Sequence, residues 1–260
     1  MGKQTKSGIL VDPDQTFSPV FVLSDHHAAI DGPWHSHRRM QLVHVSSGVL
    51  TVLTKRARFV IPPQRAVWIE PGVEHRILSQ KPFWLTTCYV EQHLFRIFDP
   101  SSVVIVDRLT DELLIAASDF GGNYPISGPE ARLITVLLDR LSALDTTGGS
   151  LPEPSDIRLR RITDRLYENP AMADHLQTLS RQAAMTERTA ARLFIKETGL
   201  TFGQWRKQLR LQISLKQIGE GASVTQAAFD VGYQDVSSFI AAFRTHFGVT
   251  PAKALKGKKA

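Results

Sequence analysis

The sequence predicts an α+β protein of two domains, in which a β-rich domain with appended helices is followed by an all-α domain. Short apolar segments that end at glycine or proline fill the first hundred residues, and the apolar spacing becomes helical from about Asp107. A Gly-, Ser-, Thr- and Pro-rich segment then leads into a basic C-terminal part. The expected divisions are residues 1–100, helices over 101–145, a linker over 146–155 and the C-terminal domain over 156–260.

The charge of the chain divides at the expected linker. The 260 residues carry a net charge of +6, but residues 156–260 hold 17 Lys and Arg against 9 Asp and Glu, a net of +8. The residues before them have a net charge of −2. This division favours a polyanion-binding domain joined to a second function, although a solvated basic surface would explain the charge alone equally well.

Composition excludes several classes of protein. With 42% hydrophobic residues the chain can form packed cores, so global disorder is excluded. No run of 18 apolar residues exists, which excludes a transmembrane helix, and the first residues lack the apolar core of a signal peptide. The single cysteine, Cys88, excludes an internal disulfide and a cysteine-based zinc cluster. It favours a reducing, cytoplasmic location, with the thiol itself buried and inert.

The N-terminal region is predicted to form short strands, because its apolar segments are rich in β-branched and aromatic residues. Gly48, Pro62-Pro63 and Pro71-Gly72 separate them. The segments are FVLSD, QLVHVSSGVLTVLT, RFVIP, AVWIEP and FWLTTCYV.

Two amphipathic helices are predicted after the strands, in DRLTDELLIAASDF and PEARLITVLLDRLSAL. The helix over 130–144 has a strong apolar stripe that includes Leu133, Leu137 and Leu141. The stripe either packs against the N-terminal domain or forms a contact between two copies of the chain. We favour the second alternative and therefore expect a homodimer.

The C-terminal domain contains two pairs of short helices. LQTLSRQAAM is followed by a second helix, ERTAARLFIKETG, for which Thr186 is a suitable N-cap and Gly199 a suitable stop. After a long helix from Thr201 to Gly219, VTQAAFDVGY and DVSSFIAAFRTHFG repeat the pattern, with Phe239, Phe243 and Phe247 on the buried side. Two short helices joined by a tight turn form the helix-turn-helix unit of DNA-binding proteins.

The segments ARLFIKETGLTFGQWRKQLRL and AAFDVGYQDVSSFIAAFRTHFGVTP resemble the DNA-binding domain of AraC/XylS-type transcription regulators over about residues 156–255. The resemblance implies that the second helix of each unit enters the major groove, in two successive grooves about 34 Å apart. It also implies double-stranded DNA as a partner, with RNA polymerase as a further one.

The family pattern implies which side chains face the DNA. In the first unit they are Arg188, Ala191 and Arg192, and arginine can bond both acceptors of guanine at once. One or both arginines could instead contact only phosphate. In the second unit the matching residues are Val236, Ser237, Ile240 and Ala241. These residues suit thymine methyl groups, so we expect the first unit to supply most polar discrimination. The expected phosphate-binding residues are Arg206, Arg210, Arg244 and Thr245.

A second resemblance concerns the N-terminal domain. If Trp34-His35-Ser36-His37 and Gln41 continue one strand, His35, His37 and Gln41 share a face. This spacing, with the later Pro-Gly turn and His75, resembles the motifs of cupin barrels, which implies a cupin-like β-barrel over about residues 20–95. Gln41 replaces the glutamate of the cupin motif. Within the regulator family, WHSHRR and PPQRAVWIEPGVEH resemble the nitroimidazole-transport-regulator subgroup.

The three histidines do not by themselves specify which kind of ligand the barrel binds. Imidazoles on one wall can bind zinc, nickel, iron or copper, or they can line a pocket for a small effector. Gln41 is a poor substitute for the carboxylate of an enzyme-type site, so we do not expect an enzyme. The leading hypothesis is a cytoplasmic transcription regulator that responds to a small ligand or a divalent metal ion. The alternatives are a cupin-type metalloenzyme fused to a basic DNA-binding domain, and an architectural DNA binder with a vestigial barrel.

Overall fold

The computed structural model describes residues 3–4, 10–94, 103–147 and 149–255. Residues 55–60 and 149–255 form one compact unit, called here the helical unit, and the other described residues form the β unit. A sheet-rich N-terminal part and a helical C-terminal part confirm the predicted α+β fold class. No helix in the described ranges has both the length and the apolar character needed to cross a membrane.

The strands lie almost entirely in the first 105 residues. They are β1 Lys3–Gln4, β2 Leu10–Val11, β3 Val20–His27, β4 Ile30–Asp31, β5 Met40–Ser47, β6 Leu50–Thr54, β7 Ala57–Ile61, β8 Arg65–Ile69, β9 His75–Ser79, β10 Phe83–Val90, β11 Val103–Ile105, β12 Thr146–Thr147 and β13 Ser150–Pro152.

The β unit is built on two antiparallel sheets. The larger has the strand order β12-β11-β8-β5-β10-β3, and the second contains β6, β9 and β4 in that order. Strand β9, from His75 to Ser79, is absent from the sequence prediction. Its side chains alternate between buried and half-buried, so His75, Ile77 and Ser79 share the buried face.

The helices begin after β11. They are α1 Arg108–Ser118, α2 Pro129–Ser142, α3 Ile157–Glu168, α4 Leu176–Gln182, α5 Glu187–Thr198, α6 Phe202–Gly219, α7 Val224–Asp230, α8 Val236–Phe247 and α9 Pro251–Ala254, with a 3-10 turn at Gln92–Leu94.

Helices α1 and α2 pack on the larger sheet, which corrects the assignment of the stripe on 130–144 to a homodimer contact. Ile134, Leu137 and Leu141 are buried in one cluster with Leu42 and Trp68 of the sheet. The physical reason is that the face of β5 and β8 toward these helices is itself apolar, so it is stabilised when apolar side chains of the helices bury it from water. Most of the stripe is therefore satisfied within one chain, and only Val136 on α2 is a largely exposed apolar side chain, at 48%.

The expected linker over 146–155 is not a free tether. Leu151 is fully buried in the core of the helical unit, and the side-chain amide of Gln212 donates to the carbonyl oxygen of Gly149 at 2.6 Å. Strand β13 also pairs with β7, with Leu151 opposite Arg58. Gly, Ser and Pro content predicted flexibility, but a buried leucine and paired backbone groups hold the second half of the segment in place.

The helical unit contains both predicted helix-turn-helix pairs, α4–α5 and α7–α8, on either side of α6. The Thr186 hydroxyl accepts from the amide of Thr189 at the start of α5, which confirms the predicted N-cap, and α5 ends at Gly199 with a φ of 72°. Phe239 and Phe243 are fully buried beneath α8, as predicted, whereas Phe247 is half-buried.

Candidate DNA interface and histidine cluster

Helix α5 presents two arginines to solvent. Arg188 and Arg192 are four residues apart, so both project from the same side of the helix, and both are exposed. The opposite side holds Ala190 and Phe194, which are fully buried against the core of the helical unit. This arrangement fixes the helix while its arginine-bearing side stays available to DNA.

Two other residues of α5 differ from the sequence-based expectation. Ala191, expected in the groove, is half-buried and packs against the core of the helical unit. Ile195 was not considered, yet it lies three residues after Arg192 and its side chain is 54% exposed. Helical spacing alone could have placed Ile195 beside the arginines.

Helix α8 offers a less polar surface, without an arginine at the positions that match Arg188 and Arg192. Ser237 and Ala241 are exposed four residues apart, whereas Val236 and Ile240 are half-buried. Arg244 and Thr245 are exposed near the end of the helix, although the Thr245 hydroxyl donates to the carbonyl oxygen of Ala241 at 2.9 Å.

The two arginines of α6 that were expected to bind phosphate also serve the fold. Arg206 Nη1 donates to the carbonyl oxygen of Asp174 at 2.9 Å. Arg210 donates from Nε to the carbonyl oxygen of Pro170 at 2.8 Å and from Nη2 to that of Met172 at 3.1 Å. Burial, and then the neighbouring positive charge of Arg206, lower the pKa of Arg210. Its guanidinium is therefore held by the backbone between α3 and α4.

The histidine cluster is defined by His35, His37, Gln41 and His75, and the structure brings all four together as predicted. The ring centroids of His35 and His75 are 4.3 Å apart, and those of His37 and His75 are 5.1 Å apart. His35 and His37 lie before β5 and not in the same strand as Gln41, because β5 begins at Met40. A backbone bridge between His35 and His75 positions the first histidine instead.

Gln41 is the centre of the cluster. Its buried side-chain oxygen Oε1 lies 3.0 Å from Nε2 of His37 and 3.0 Å from Nε2 of His75. The Gln41 Nε2 group donates to the Thr87 hydroxyl oxygen at 2.7 Å and to the Tyr89 hydroxyl oxygen at 3.0 Å. Burial raises the pKa of Tyr89, so its hydroxyl keeps its proton while its oxygen accepts from Gln41.

The ring nitrogens of the histidines have defined roles. Each Nδ1 faces a backbone carbonyl oxygen. Nδ1 of His35 lies 3.1 Å from that of Pro33, Nδ1 of His37 lies 2.7 Å from that of Arg39, and Nδ1 of His75 lies 2.9 Å from that of Val73. A carbonyl oxygen only accepts, so each Nδ1 carries a proton and each Nε2 of a neutral imidazole offers a lone pair. In the structure Oε1 of Gln41 faces both Nε2 atoms, an arrangement that a proton on Nε2 or a bound cation would satisfy; two neutral rings without a ligand would require the amide to be turned over.

Metal-ligating histidines commonly donate their second ring nitrogen to a carbonyl oxygen, so this part of the donor set fits a cation. Within the described ranges, however, no three His, Cys, Asp or Glu side chains are placed to hold a metal ion. The donor set in its present form is two imidazole nitrogens with an amide between them.

Thr87 and Tyr89 were missed by sequence reasoning. They alternate along β10, and Tyr89 lies directly opposite Gln41 in the register of β10 and β5. That register depends on the pairing of two strands about 48 residues apart, which no local pattern contains. Cys88, between them, points the other way and is fully buried, which raises the pKa of its thiol to about 12 and agrees with the predicted inert cysteine.

Comparison with known proteins identifies both halves of the chain. Residues 179–257 match a helix-turn-helix domain model, and residues 18–99 match a model of AraC-like ligand binding domains. The HTH-type transcriptional regulator NimR of Escherichia coli K12 is 31% identical over 230 residues, which cover 87% of this chain and 84% of that protein. RipA of Corynebacterium glutamicum is 30% identical over 152 residues, which cover 58% of this chain and 42% of that regulator.

Among solved structures, ToxT of Vibrio cholerae with a bound unsaturated fatty acid is 10% identical and has a TM-score of 0.40 over 94% of this chain and 97% of that one. The family assignment depends on the sequence matches. A helix-turn-helix module with an arginine-bearing second helix and an AraC-like sensor module in one chain is the plan of a DNA-binding regulator. The chain belongs to the AraC/XylS family of helix-turn-helix transcription regulators.

Proposed function

We propose that this regulator reads its operator chiefly through Arg188 and Arg192, and that a small ligand or divalent metal ion at the histidine cluster controls that binding. The observation that carries the first part is the exposure of both arginines on one side of α5. Each guanidinium fork can bond O6 and N7 of a guanine, which is the commonest specific contact in the major groove.

The second unit supplies contacts of another kind. Ser237 and Ala241 are exposed on α8 and suit close approach to base edges, including the methyl group of thymine. Half-buried Val236 and Ile240 border this surface. The two units would occupy successive major grooves about 34 Å apart.

Phosphate contacts complete the proposed interface. Arg244 and Thr245 are exposed at the end of α8, where they can reach the backbone beside the groove. Arg206 keeps this role in the proposal, with its hydrogen bond to Asp174 orienting the guanidinium.

The interface is tested with Arg192→Ala and Arg206→Ala, titrated against operator and random DNA at several salt concentrations. Arg192→Ala should cost about 1–3 kcal/mol on the operator and relax the preference at one base pair. Arg206→Ala should weaken both DNAs alike and reduce the salt slope by about 1. Arg132→Ala, at an exposed site on α2, is the matched control and should change neither.

Equal weakening of both DNAs by Arg192→Ala would contradict its assignment to base edges. Thermal denaturation of Arg206→Ala accompanies the titration, because that variant also removes the hydrogen bond to Asp174. A loss of stability without a change in salt slope would show that Arg206 serves the fold alone.

The second part of the proposal is supported by the tautomers of the histidine cluster. The three Nδ1 atoms face carbonyl oxygens, so a ligand that donates hydrogen bonds, or a cation, would be bound by the Nε2 atoms, two of which now contact Oε1 of Gln41. A metal would be held by Nε2 of His37 and His75, with His35 as a further ligand and with Oε1 of Gln41, which already faces these two nitrogens. Bound there, it would supply a positive charge that links β5, β9 and the segment before β5.

The effector is tested by His37→Ala, with His93→Ala as the control because His93 is exposed and remote in sequence from the cluster. His37→Ala should lower the amount of bound metal, or the affinity for the effector, and leave binding to random DNA unchanged. Metal affinity should fall as the pH drops below about 6.5, because imidazole must be neutral to ligate. The metal hypothesis would be excluded if protein prepared without chelator contained no metal and if added zinc, nickel, iron and copper did not change its melting temperature. A small ligand would then be the remaining effector.

The proposal also includes a cytoplasmic homodimer that contacts RNA polymerase. Light scattering of the full chain at tens of micromolar tests the dimer, and a lone monomer with and without operator would contradict it. Metal-dependent turnover of a substrate would favour the alternative of a cupin-type metalloenzyme, whereas operator binding that no candidate ligand alters would favour an architectural role.

A further inference from the structure

We propose a second ligand site in the β unit, on the opposite face of β5 from the histidine cluster, which takes a small zwitterion such as an α-amino acid. The cavity lies between β5, the turn before β8 and the start of α1, and has a volume of about 320 Å³. Side chains alternate along a strand, so His44 and Ser46 point to this side while Gln41 points to the cluster.

A hydrogen-bonded pair, His44 and Asp111, forms the floor of the cavity. His44 is 1% exposed, and its Nε2 lies 3.0 Å from Oδ1 of Asp111 while its Nδ1 lies 3.0 Å from the carbonyl oxygen of Arg65. Both neighbours of the imidazole are acceptors, so each ring nitrogen that carries a proton has an acceptor within hydrogen-bond distance. The pair fixes the Asp111 carboxylate at the wall of the cavity.

Three further polar side chains line the same cavity and have no hydrogen bond to another described side chain or backbone group. They are those of Ser46, Gln64 and Arg108. A hydroxyl, an amide and a guanidinium that meet around one cavity can bind a ligand without giving up contacts within the protein, which lowers the cost of binding.

The backbone of Gln64 is held in an unusual conformation. Its φ is 62°, a left-handed value that is unfavourable for a non-glycine residue. Its amide donates to the carbonyl oxygen of Val45 at 3.2 Å, and its own carbonyl accepts from the amide of Val106 at 3.0 Å. Strand β5 and the residue that follows β11 therefore hold the strained residue in place, with its side chain lining the cavity. Strained residues of this kind concentrate at ligand-binding sites.

The charges around the cavity select the ligand. Arg108 stands at the N-terminus of α1, where the helix dipole adds to its positive charge, so this end suits a carboxylate. Asp111, one turn further along α1, suits an ammonium group, assisted by the oxygen of Gln64 or Ser46. Asp107 is occupied, because its carboxylate caps the amide of Thr110 and pairs with Arg140. A ligand with both an ammonium and a carboxylate matches the cavity better than either charge alone.

The volume limits the size of the ligand. At about 30 Å³ for each non-hydrogen atom, the share of one water molecule in the liquid, the cavity holds on the order of ten such atoms. That size admits most common amino acids. The site differs from the proposed effector site in residues and in face, so its test does not depend on the role of the histidine cluster.

The test is isothermal titration of the full chain with each common L-α-amino acid, followed by the amine and the carboxylic acid that correspond to the tightest binder. The amino acid should bind with one site per chain, and each analogue should bind at least about tenfold more weakly, since each loses a charge-assisted hydrogen bond. Arg108→Gln should weaken the amino acid by about tenfold or more, while Arg132→Gln on α2 is the matched control and should leave its affinity within about twofold.

A second variant and a second readout separate this site from the histidine cluster. Ser46→Phe should fill the cavity and abolish binding in a chain that still shows native circular dichroism and binds random DNA, whereas His37→Ala should leave amino-acid binding unchanged. Absence of binding by every amino acid at ~10 mM would overturn the proposal. Binding that survives both Arg108→Gln and Ser46→Phe, or that is lost in His37→Ala, would overturn it as well. The same variants are also titrated with operator DNA. Loss of amino-acid binding can then be told apart from loss of the effector control that is proposed for the histidine cluster.

Discussion

Ala184 and Gly232 occupy the same place in the two helix-turn-helix units. Each is the second residue after the first helix of its pair, and each has a left-handed backbone, with φ values of 55° and 86°. The turn of each unit thus requires a left-handed residue at this position, but only the second unit has glycine there. Alanine in this region costs about 1–2 kcal/mol that glycine does not.

The first prediction concerns these two turns. Ala184→Gly should stabilise the protein by about 0.5 kcal/mol, because the relief of backbone strain exceeds the added entropy of the unfolded chain. Gly232→Ala should destabilise it by about 1–3 kcal/mol, since a Cβ atom there would lie 2.9 Å from Cα of Ala171 as well as require the left-handed φ. Urea denaturation measures both, and a loss of stability in Ala184→Gly would contradict the assignment of strain.

The second prediction concerns the indole of Trp205. The ring is fully buried, and its Nε1 donates to the carbonyl oxygen of Pro152 at 2.7 Å. Trp205→Phe should lower the free energy of unfolding by about 1–3 kcal/mol, because the carbonyl oxygen is left without its donor and the ring shrinks. Lys207→Gln, at an exposed site of the same helix, is the control and should change stability by less than about 0.5 kcal/mol. Equal stability of the two variants would show that the Pro152 contact is dispensable.

The third prediction separates two roles of Arg210. Its bonds to the carbonyl oxygens of Pro170 and Met172 lead us to expect that Arg210→Gln lowers stability by about 1–3 kcal/mol, with the salt slope of DNA binding unchanged. The measurements are urea denaturation and DNA titration at several salt concentrations. A salt slope smaller by about 1, with stability intact, would instead support the phosphate contact that the sequence predicts.

The fourth prediction concerns pH. Burial, and then the charge of Lys207, lower the pKa of His246 below its ordinary 6.5. The unfolded chain therefore binds the proton more readily, so this contribution to stability is fully present above about pH 6.5 and is lost as the pH falls below it. His246→Leu should flatten the decline of the urea midpoint between about pH 7 and 5. The exposed His175 is the control, and the idea fails if His175→Gln flattens the decline as much.

Local patterns predicted much of this molecule. The helix-turn-helix pairs depend on contacts close in sequence, such as the Thr186 cap of α5 and the buried Ala190 and Phe194. The histidine cluster was also predicted, although for an incomplete reason. His35 is positioned by a bridge to His75 and not by a shared strand with Gln41.

The sequence by itself determined the change from strands to helices, the two helix-turn-helix pairs, the division of charge and the exposed arginines of α5. These follow from the period of apolar residues and from capping, which act within a few turns of chain. Tertiary structure decided what each apolar or polar face contacts. Leu137 packs on the sheet of its own chain, Leu151 joins the helical core, and Gln41 meets Tyr89 across two strands. The physical reason is that an amphipathic pattern specifies that a face is buried, whereas the partner that buries it depends on pairing and packing between distant segments.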